Sequence, residues 1–483
     1  MRVFEGTGSA VAELLGLPGA VIDLVEREAD GSWRVHVRTA VGVAACCPGC
    51  GRASGRVRER TGQRLAHLVV VPMALTWHKT RYWCDNTACG RGSFTESGPL
   101  AGRGARVSEP AREVMGRLVG DWLVPVSRVA GAAGTGWHTA HGGFVAVAGR
   151  AGIVVEAGSP GQEPAADPAP APLPARSVSG PLPQVTVLGI DDHRRGRPRF
   201  HRGPDGTWVA DADRWATVFV DTAGGHGLLG QVEGRTTAGT TAWLAAQPAA
   251  WRAGVGAVTI DMSTTYKAAV REALPQATLA VDPFHVVHLA NKAVGDVRRR
   301  LTQQLRGRRG RTDDPEYKIR NLLVRARETL SDAARGRLLC TLADLGDAGR
   351  QLTAAWRAKE LLRDLLALSP TRAASAPSRS DLSDALTRFF TYAATTGATV
   401  PEVVTLAETI SKWRHEIANA VLHGLSNAAA EGVNRLVKLV YRTAFGLTNV
   451  TNQQRRARYT ASRTTRPRWL HPVTESHEHL VTT

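Results

Sequence analysis

The alternation of apolar and polar positions changes character four times along the chain. Near the start a short helical pattern gives way to the period-two alternation of "SWRVHVRTAV", which predicts strands within residues 1–45. From about 107 to 150 apolar positions recur at helical spacing in a run rich in Ala and Gly. The tract 156–183, "EAGSPGQEPAADPAPAPLPARSVSGPLP", offers few side chains worth burying and predicts a linker. Beyond it, short apolar runs end in acids: "VTVLGIDD" (185–192), "RWATVFVD" (214–221), "GAVTIDMS" (256–263) and "ATLAVD" (277–282). "RWATVFVD" and "GLLGQVEGR" (227–235) are joined by "TAGGH", a hairpin signature. Helices are predicted around 238–249 and in "TTYKAAVREAL". Strand, hairpin, helix, strand, helix, strand is a mixed α/β order, and ligands gather at the carboxyl ends of parallel strands in such sheets. From 283 to about 440 the pattern is helical nearly throughout, including "AAWRAKELLRDLLAL" and "GLSNAAAEGVNRLVKLVYRTAFG".

Composition narrows the partner. A chain of 483 residues exceeds one ordinary core, so two to four domains are expected. A formal charge of +18 favours a polyanion, because neutralising phosphates releases counterions. No apolar run of spanning length and no basic amphipathic helix suits a membrane. "MRVFEGTGSAVAELLGLPG" lacks the basic start and long apolar stretch of a signal peptide, so a cytoplasmic, nucleoid-associated protein is expected.

Five of the six cysteines fall between Cys46 and Cys89, a clustering that points to metal rather than disulfides. Cys47 and Cys50 form a C-x2-C knuckle, and Cys84 and Cys89 form a second pair at x4 spacing. Two such pairs brought together by the intervening "HLVVVPMALTWHKTRYW" would give tetrahedral thiolate coordination of a structural zinc. Cys46 is an alternative partner for Cys50. His67 and His78 read as surface or core residues, and Cys340, in "RLLCTLADL", as a small core residue.

Within 109–148, "VPVSRVAGAAGTGWHTAHGGF" offers a short helix, a turn at Gly134 and a recognition helix from Trp137 and His138. Gly142 and Gly143 are expected to weaken that second helix, and Ala140 stands where a larger apolar residue usually packs. The plainer alternative is a loose helical hairpin without groove contacts.

Asp191 and Asp261 each close an apolar strand and can project from one sheet edge, with Glu431 on the late helix as a third carboxylate. Hard oxygen ligands of this kind hold two Mg²⁺ ions roughly 4 Å apart for phosphoryl transfer. Asp192 and Asp221 fit the plainer role of turn or cap residues, since a one-residue shift turns Asp192 to the opposite face, although a bulge would reverse the choice between Asp191 and Asp192.

Taken together these residues resemble the ISL-three (ISL3) family of bacterial insertion-sequence transposases, of the DDE group. The resemblance covers nearly the whole chain: "CCPGCGRASGRV…RYWCDNTACGRGSF", "GIDD", "TIDMSTTYKAAVREALPQATLAVDPFHVVHLAN", "DPEYKIRNLL", "AAWRAKELLRD" and "GLSNAAAEGVNRLVKLVYRTAFGLTNVTN". It implies a ribonuclease-H-like α/β catalytic core with an all-α insertion, preceded by a zinc-binding module and a helix-turn-helix-like segment. The implied divisions are an N-terminal segment (1–45), a four-cysteine zinc module (46–98), the helical segment (105–152), the linker (156–183), the core's first part (184–295), the insertion (296–405), the core's completion (406–470) and a tail (471–483).

By the same resemblance Asp191, Asp261 and Glu431 are the catalytic acids holding two Mg²⁺ ions, for which Mn²⁺ can substitute. Asp192 stands where a Glu is more usual. "DPFH" (282–285) matches a C/D-x2-H signature of related enzymes, so Asp282 and His285 would shape the active site, with a helix cap as their plainer role. Asn427 and Asn434, at −4 and +3 from Glu431, would position the carboxylate or a DNA phosphate. Arg298, Arg299 and Arg300, Arg308 and Arg309, and the stripe Arg435, Lys438 and Arg442 would contact phosphates. The partners implied are double-stranded DNA, as terminal inverted repeats and target, and further copies of the chain in a dimer or larger assembly. Other readings are a DNA-binding derivative that no longer cuts and a two-metal nuclease without strand transfer.

Overall fold

Strand β1 (Ala20–Arg27) turns Ala20 and Ile22 inward, and β2 (Trp33–Thr39) turns Val35 and Val37 inward, the alternation of a half-buried sheet. The computed structural model describes residues 11–462 apart from 13–14, 18, 30–31, 41–44, 69–71, 103, 157–176, 181, 196–199, 211–214, 374 and 446. β2 pairs in parallel with β4 (Pro72–Trp83), which is antiparallel to β3 (Val57–Leu68) and β5 (Ser93–Thr95). The sheet order is β1-β2-β4-β3, with β5 on β4. The N-terminal strands and the cysteine region, expected as separate pieces, therefore share one sheet; Leu65, Leu75 and Trp77 bridge their common core. His67 is buried there between the Ser108 hydroxyl (2.6 Å) and the Leu15 carbonyl (2.8 Å). Burial holds its imidazole below the ordinary 6.5.

Ser108 also caps helix α1 (Glu109–Gly120), accepting from the Ala111 amide, with Pro110 in the first turn. A short α2 (Val126–Ala132) leads through Gly134 (φ +61°) into α3 (Trp137–Arg150). Sequence reasoning expected Gly142 and Gly143 to weaken α3. In the fold, Gly143 is where α1 and α3 touch backbone to backbone: a Cβ there would lie 2.5 Å from the Arg112 carbonyl oxygen, and one at Gly116 2.5 Å from that of Gly143. Ala140 is fully buried, so the small side chain fits the crossing. Past α3, β6 (Val154–Glu156) pairs antiparallel with β7 (Ser177–Ser179). Most of the expected linker, 157–176, lies outside the described residues.

Residues 182–436 make a second unit, separate from 1–181 and 437–483. β8 (Val187–Arg194) is followed by a two-stranded ribbon, β9 (Phe200–Arg202) and β10 (Trp208–Ala210). Next come β11 (Trp215–Asp221), β12 (Gly227–Glu233), α4 (Thr237–Ala245), α5 (Ala249–Gly254), β13 (Ala257–Ile260), α6 (Thr264–Ala273) and β14 (Thr278–Val281). The order is β12-β11-β8-β13-β14: β11 runs antiparallel to both neighbours, while β8, β13 and β14 are parallel. Asp221 accepts the Ala223, Gly224 and His226 amides, the turn role foreseen for it.

α7 (Pro283–Arg306) runs unbroken across residue 296, so the all-helical part grows out of the core without a joint at the expected boundary. α8 (Pro315–Lys318), α9 (Arg320–Val324), α10 (Asp332–Asp344), α11 (Gly346–Ala367), α12 (Arg379–Ala394), α13 (Pro401–Lys412) and α14 (Arg414–His423) follow, sharing one apolar core with the sheet. Cys340 is exposed on α10 rather than buried. α15 (Ala428–Thr443) returns to the sheet. The last described helix, α16 (Val450–Ala461), lies in the stretch expected as the core's completion (406–470) and groups with the first unit. Its Tyr459 packs edge-on against Phe144 of α3, ring centroids 5.7 Å apart. No helix among the described residues is long and apolar enough to cross a membrane.

The glycine pair gives a contrast that melting curves can read. Gly142→Ala, whose Cβ meets nothing within 4 Å, should raise stability by roughly 0.5–1 kcal/mol, whereas Gly143→Ala should lower it by about 1–3 kcal/mol. His67 gives a second one. Its folded-state pKa is depressed, so stability present above 6.5 is lost as pH falls below that value, and His67→Gln should flatten the melting temperature between about pH 7.5 and about pH 5.5.

Candidate active site and metal centre

Because β8, β13 and β14 are parallel, their carboxyl ends meet at one edge, and Asp191, Asp261 and Asp282 stand there. Alternation sorts β8 into two faces. Leu188 and Ile190 point into the core with Tyr266 and Val270 of α6. Gly189 faces α15 so closely that a Cβ would lie 2.5 Å from Asn427 Oδ1 and 3.3 Å from Ala430 Cβ. Nothing larger than glycine admits the helix here, and a glycine inside a strand is the sequence signal of such an approach. It went unread in the sequence.

Two buried amides fasten α15 to the sheet. Asn427 Nδ2 donates to the Ile190 carbonyl (3.2 Å), its Oδ1 accepts the Thr259 hydroxyl (3.0 Å), and its backbone amide donates to Asp282 Oδ1 (3.3 Å). Asn434 Nδ2 donates to Asp191 Oδ2 at 2.6 Å, while Asp191 Oδ1 accepts the Asp192 amide at 2.7 Å. Asp192 turns the other way and accepts the Tyr266 hydroxyl at 3.1 Å. Asp282 stands at the N-terminus of α7, and its side chain accepts the Asn427 amide from across the site, with the Phe284 amide of α7 also acting on it.

Asp261 is the strained member. Its Oδ1 is buried without a hydrogen-bond partner. Burial, then the charges of Asp192 and more weakly Asp191, push its carboxyl up to about 6, with His285 pulling the other way. Burial also raises Asp282. Crowded carboxylates with an orphaned oxygen are a donor set suited to a hard divalent cation. Glu431 sits at the margin of the helix face defined by Asn427 and Asn434; it is exposed and its carboxylate accepts from Arg435 at 2.6 Å. Among the described residues, only the four cysteines bring three or more ligand atoms within 4.8 Å of one another. The carboxylates of Asp191, Asp261 and Glu431 are thus on one helix–strand contact but not gathered.

The cations divide in two. Arg300 is bidentate to Glu402 (2.7 and 3.0 Å) and Arg308 to Asp314 (2.8 and 2.9 Å), ion pairs internal to the helical part. Arg298 lies over the Tyr317 ring at 5.5 Å, and Arg299 pairs with Asp296. Arg299, Arg309, Arg435, Lys438 and Arg442 are exposed, the last three along one side of α15 with Glu431. In the first unit, Trp137 stacks on His141 (4.7 Å) with its edge to His138 at the start of α3.

The cysteine pairs interlock: Cys47 Sγ lies 3.9 Å from Cys89 Sγ, and Cys50 Sγ 3.7 Å from Cys84 Sγ. Four sulfurs about 2.3 Å from one zinc in a tetrahedron stand about 3.8 Å apart, so the set fits Zn²⁺. Gly51 (φ +73°) closes the first knuckle, its amide donating to the Cys47 carbonyl. The Arg52 amide holds Cys50 down to about 7, whereas burial and three thiol neighbours push Cys84 up against the pull of Asn86. Cys46 stays outside the set, bridged to Ala53. His67 is committed to Ser108, and His78 to His36 at 2.9 Å.

Known proteins resemble this chain in sequence. The ISL3-type DDE family model, described as "Transposase", matches residues 203–457. The chain is 26% identical over 408 residues to the transposase for insertion sequence element IS1001 of Bordetella parapertussis, covering 83% of this chain and 84% of that one. It is 29% identical over 247 residues to the transposase for IS1557 of Mycobacterium tuberculosis, covering 48% and 53%. Replacing Cys47 by Ser should remove tightly bound zinc from the purified protein, measured by plasma emission spectrometry; undiminished zinc would take Cys47 out of the coordination set.

Proposed function

Because the chain belongs to the ISL3 family of DDE transposases, we propose that it binds the terminal inverted repeats of its element and cuts and joins DNA with Asp191, Asp261 and Glu431 on a ribonuclease-H-like core. The sheet order, a hairpin-joined antiparallel half followed by parallel strands, supports that core. The observation that carries the assignment is the 2.6 Å bond from Asn434 to Asp191, which ties the helix bearing Glu431 to the strand edge bearing the two aspartates.

Asp191, Asp261 and Glu431 would hold two Mg²⁺ ions, with Glu431 exchanging its Arg435 partner for the cation. Bound there, such ions would supply positive charge to offset the scissile phosphate and to lower the pKa of an attacking hydroxyl. The chain's own part is placement. Asn434 holds Asp191 on the α15 side of the sheet, Asn427 and Asp282 fix the first turn of α15, and His285 stands near Asp261 and favours its ionised form. The buried floor of Ile190, Ile260 and Val281 keeps the strands that carry the acids in register.

DNA recognition is assigned to the first unit. The zinc-held knuckles would brace the sheet, and α2 with α3 would act as a helix-turn-helix with Trp137 and His138 toward DNA. Arg299, Arg309, Arg435, Lys438 and Arg442 would meet phosphates. A dimer or larger assembly would hold paired ends. The test uses labelled DNA bearing the inverted repeats that flank the coding region. Glu431→Gln should lower Mg²⁺-dependent cleavage by about a hundredfold or more while repeat binding persists. A variant that cuts at the wild-type rate would remove Glu431 from the metal site.

A further inference from the structure

Between the strand that carries Asp191 and its antiparallel neighbour, the chain leaves the sheet. Among the described residues β9 and β10 pair only with each other, in the register Trp208↔Arg202, Val209↔His201 and Ala210↔Phe200. Cross-strand partners share a face, so Phe200, Arg202 and Trp208 lie on one side of the ribbon. That side is open: Trp208 is 67% exposed and Phe200 53%. The Arg202 guanidinium lies over the Trp208 ring at 5.4 Å. An isolated two-stranded ribbon is marginal by itself, and exposing two aromatic rings on it does nothing for stability. The rings call for a partner.

Charge and position choose it. The run "RRGRPRFHR" (194–202) holds five arginines and no acid. The ribbon springs from the carboxyl end of β8, the end at which the parallel β13 and β14 finish in Asp261 and Asp282. At the start of β11 the Trp215 ring has the guanidiniums of Arg194 (5.3 Å) and Arg235 (4.2 Å) over it. Paired DNA offers a protein its groove edges and phosphates, but an opened strand also offers base faces. Aromatic rings take base faces and guanidiniums take phosphates.

We propose that the β9–β10 ribbon is a platform for unpaired nucleotides beside the cleaved bond, with Phe200 and Trp208 stacking the bases and Arg202 at the phosphate. The inference rests on the transposase reading of the neighbouring acids. It places a strand-opening device within the core itself, apart from the units assigned to repeat recognition.

The test uses the full chain and element-end DNA with 2-aminopurine flanking the cleaved bond, without added Mg²⁺ for binding and with it for cleavage. The double variant Phe200→Ala, Trp208→Ala should bind the repeats as the wild type does but lose the binding-induced change in 2-aminopurine emission. It should cut paired ends about tenfold or more slowly, and recover on ends mismatched at those nucleotides. Trp208→Phe should keep both signals. Wild-type emission and rate in the double variant would overturn the inference. So would a slow rate that mismatches fail to rescue, accompanied by dissociation of the protein's own oligomer in light scattering, since the ribbon would then be a contact between copies. Wild-type protein that neither binds nor cuts any such end would instead bring down the parent reading, and this one with it.

Discussion

The missing side chain at Gly189 is the constraint on which the site's arrangement hangs. It lets α15 approach β8 until Asn427 reaches the Ile190 carbonyl and the Thr259 hydroxyl, and until Asn434 reaches Asp191. Each of those amides is buried, so each must be satisfied or the contact fails at the cost of an unpaired polar group. The register of helix against strand is therefore set by polar complementarity rather than by apolar packing, which tolerates sliding. A site that must align groups drawn from three distant parts of the chain benefits from that lack of tolerance.

The electrostatics of the edge come from crowding on the strands themselves. Asp261 sits at a strand end where burial and two aspartate neighbours disfavour its charge, and His285 offsets only part of that. The fold thus keeps concentrated negative potential at the sheet edge while its surface elsewhere is rich in arginine. Several of those arginines are consumed internally: Arg300 and Arg308 clamp carboxylates that hold the helical part together. The overall charge of +18 overstates what is free to meet phosphates.

Much of this was legible in the residues. The strand-end acids, the knuckle spacing of the cysteines, the turn at Gly134 and the late helix with its two asparagines all follow from local pattern, and local pattern decides them. What escaped depended on contacts between segments far apart. The parallel pairing of β2 with β4 cannot be read from alternation, which is the same for either neighbour. Gly143 looked like a helix weakness because propensity is a local quantity, whereas its use is a crossing with Gly116. Cys340 looked apolar and sits outside. The exposed margin occupied by Glu431 could not be told from the buried stripe beside it, since both recur at helical spacing.

The seat of Tyr459 against Phe144 and Gly120 has a bearing on biosynthesis. Most multidomain chains complete their leading module while the remainder is still emerging from the ribosome. Here the hydrophobic interior of the leading module waits for a piece translated after the whole of the second unit. Nascent polypeptide would meanwhile expose an unfilled slot beside Gly120 and Phe144, and a chain broken before Tyr459 would lack that plug.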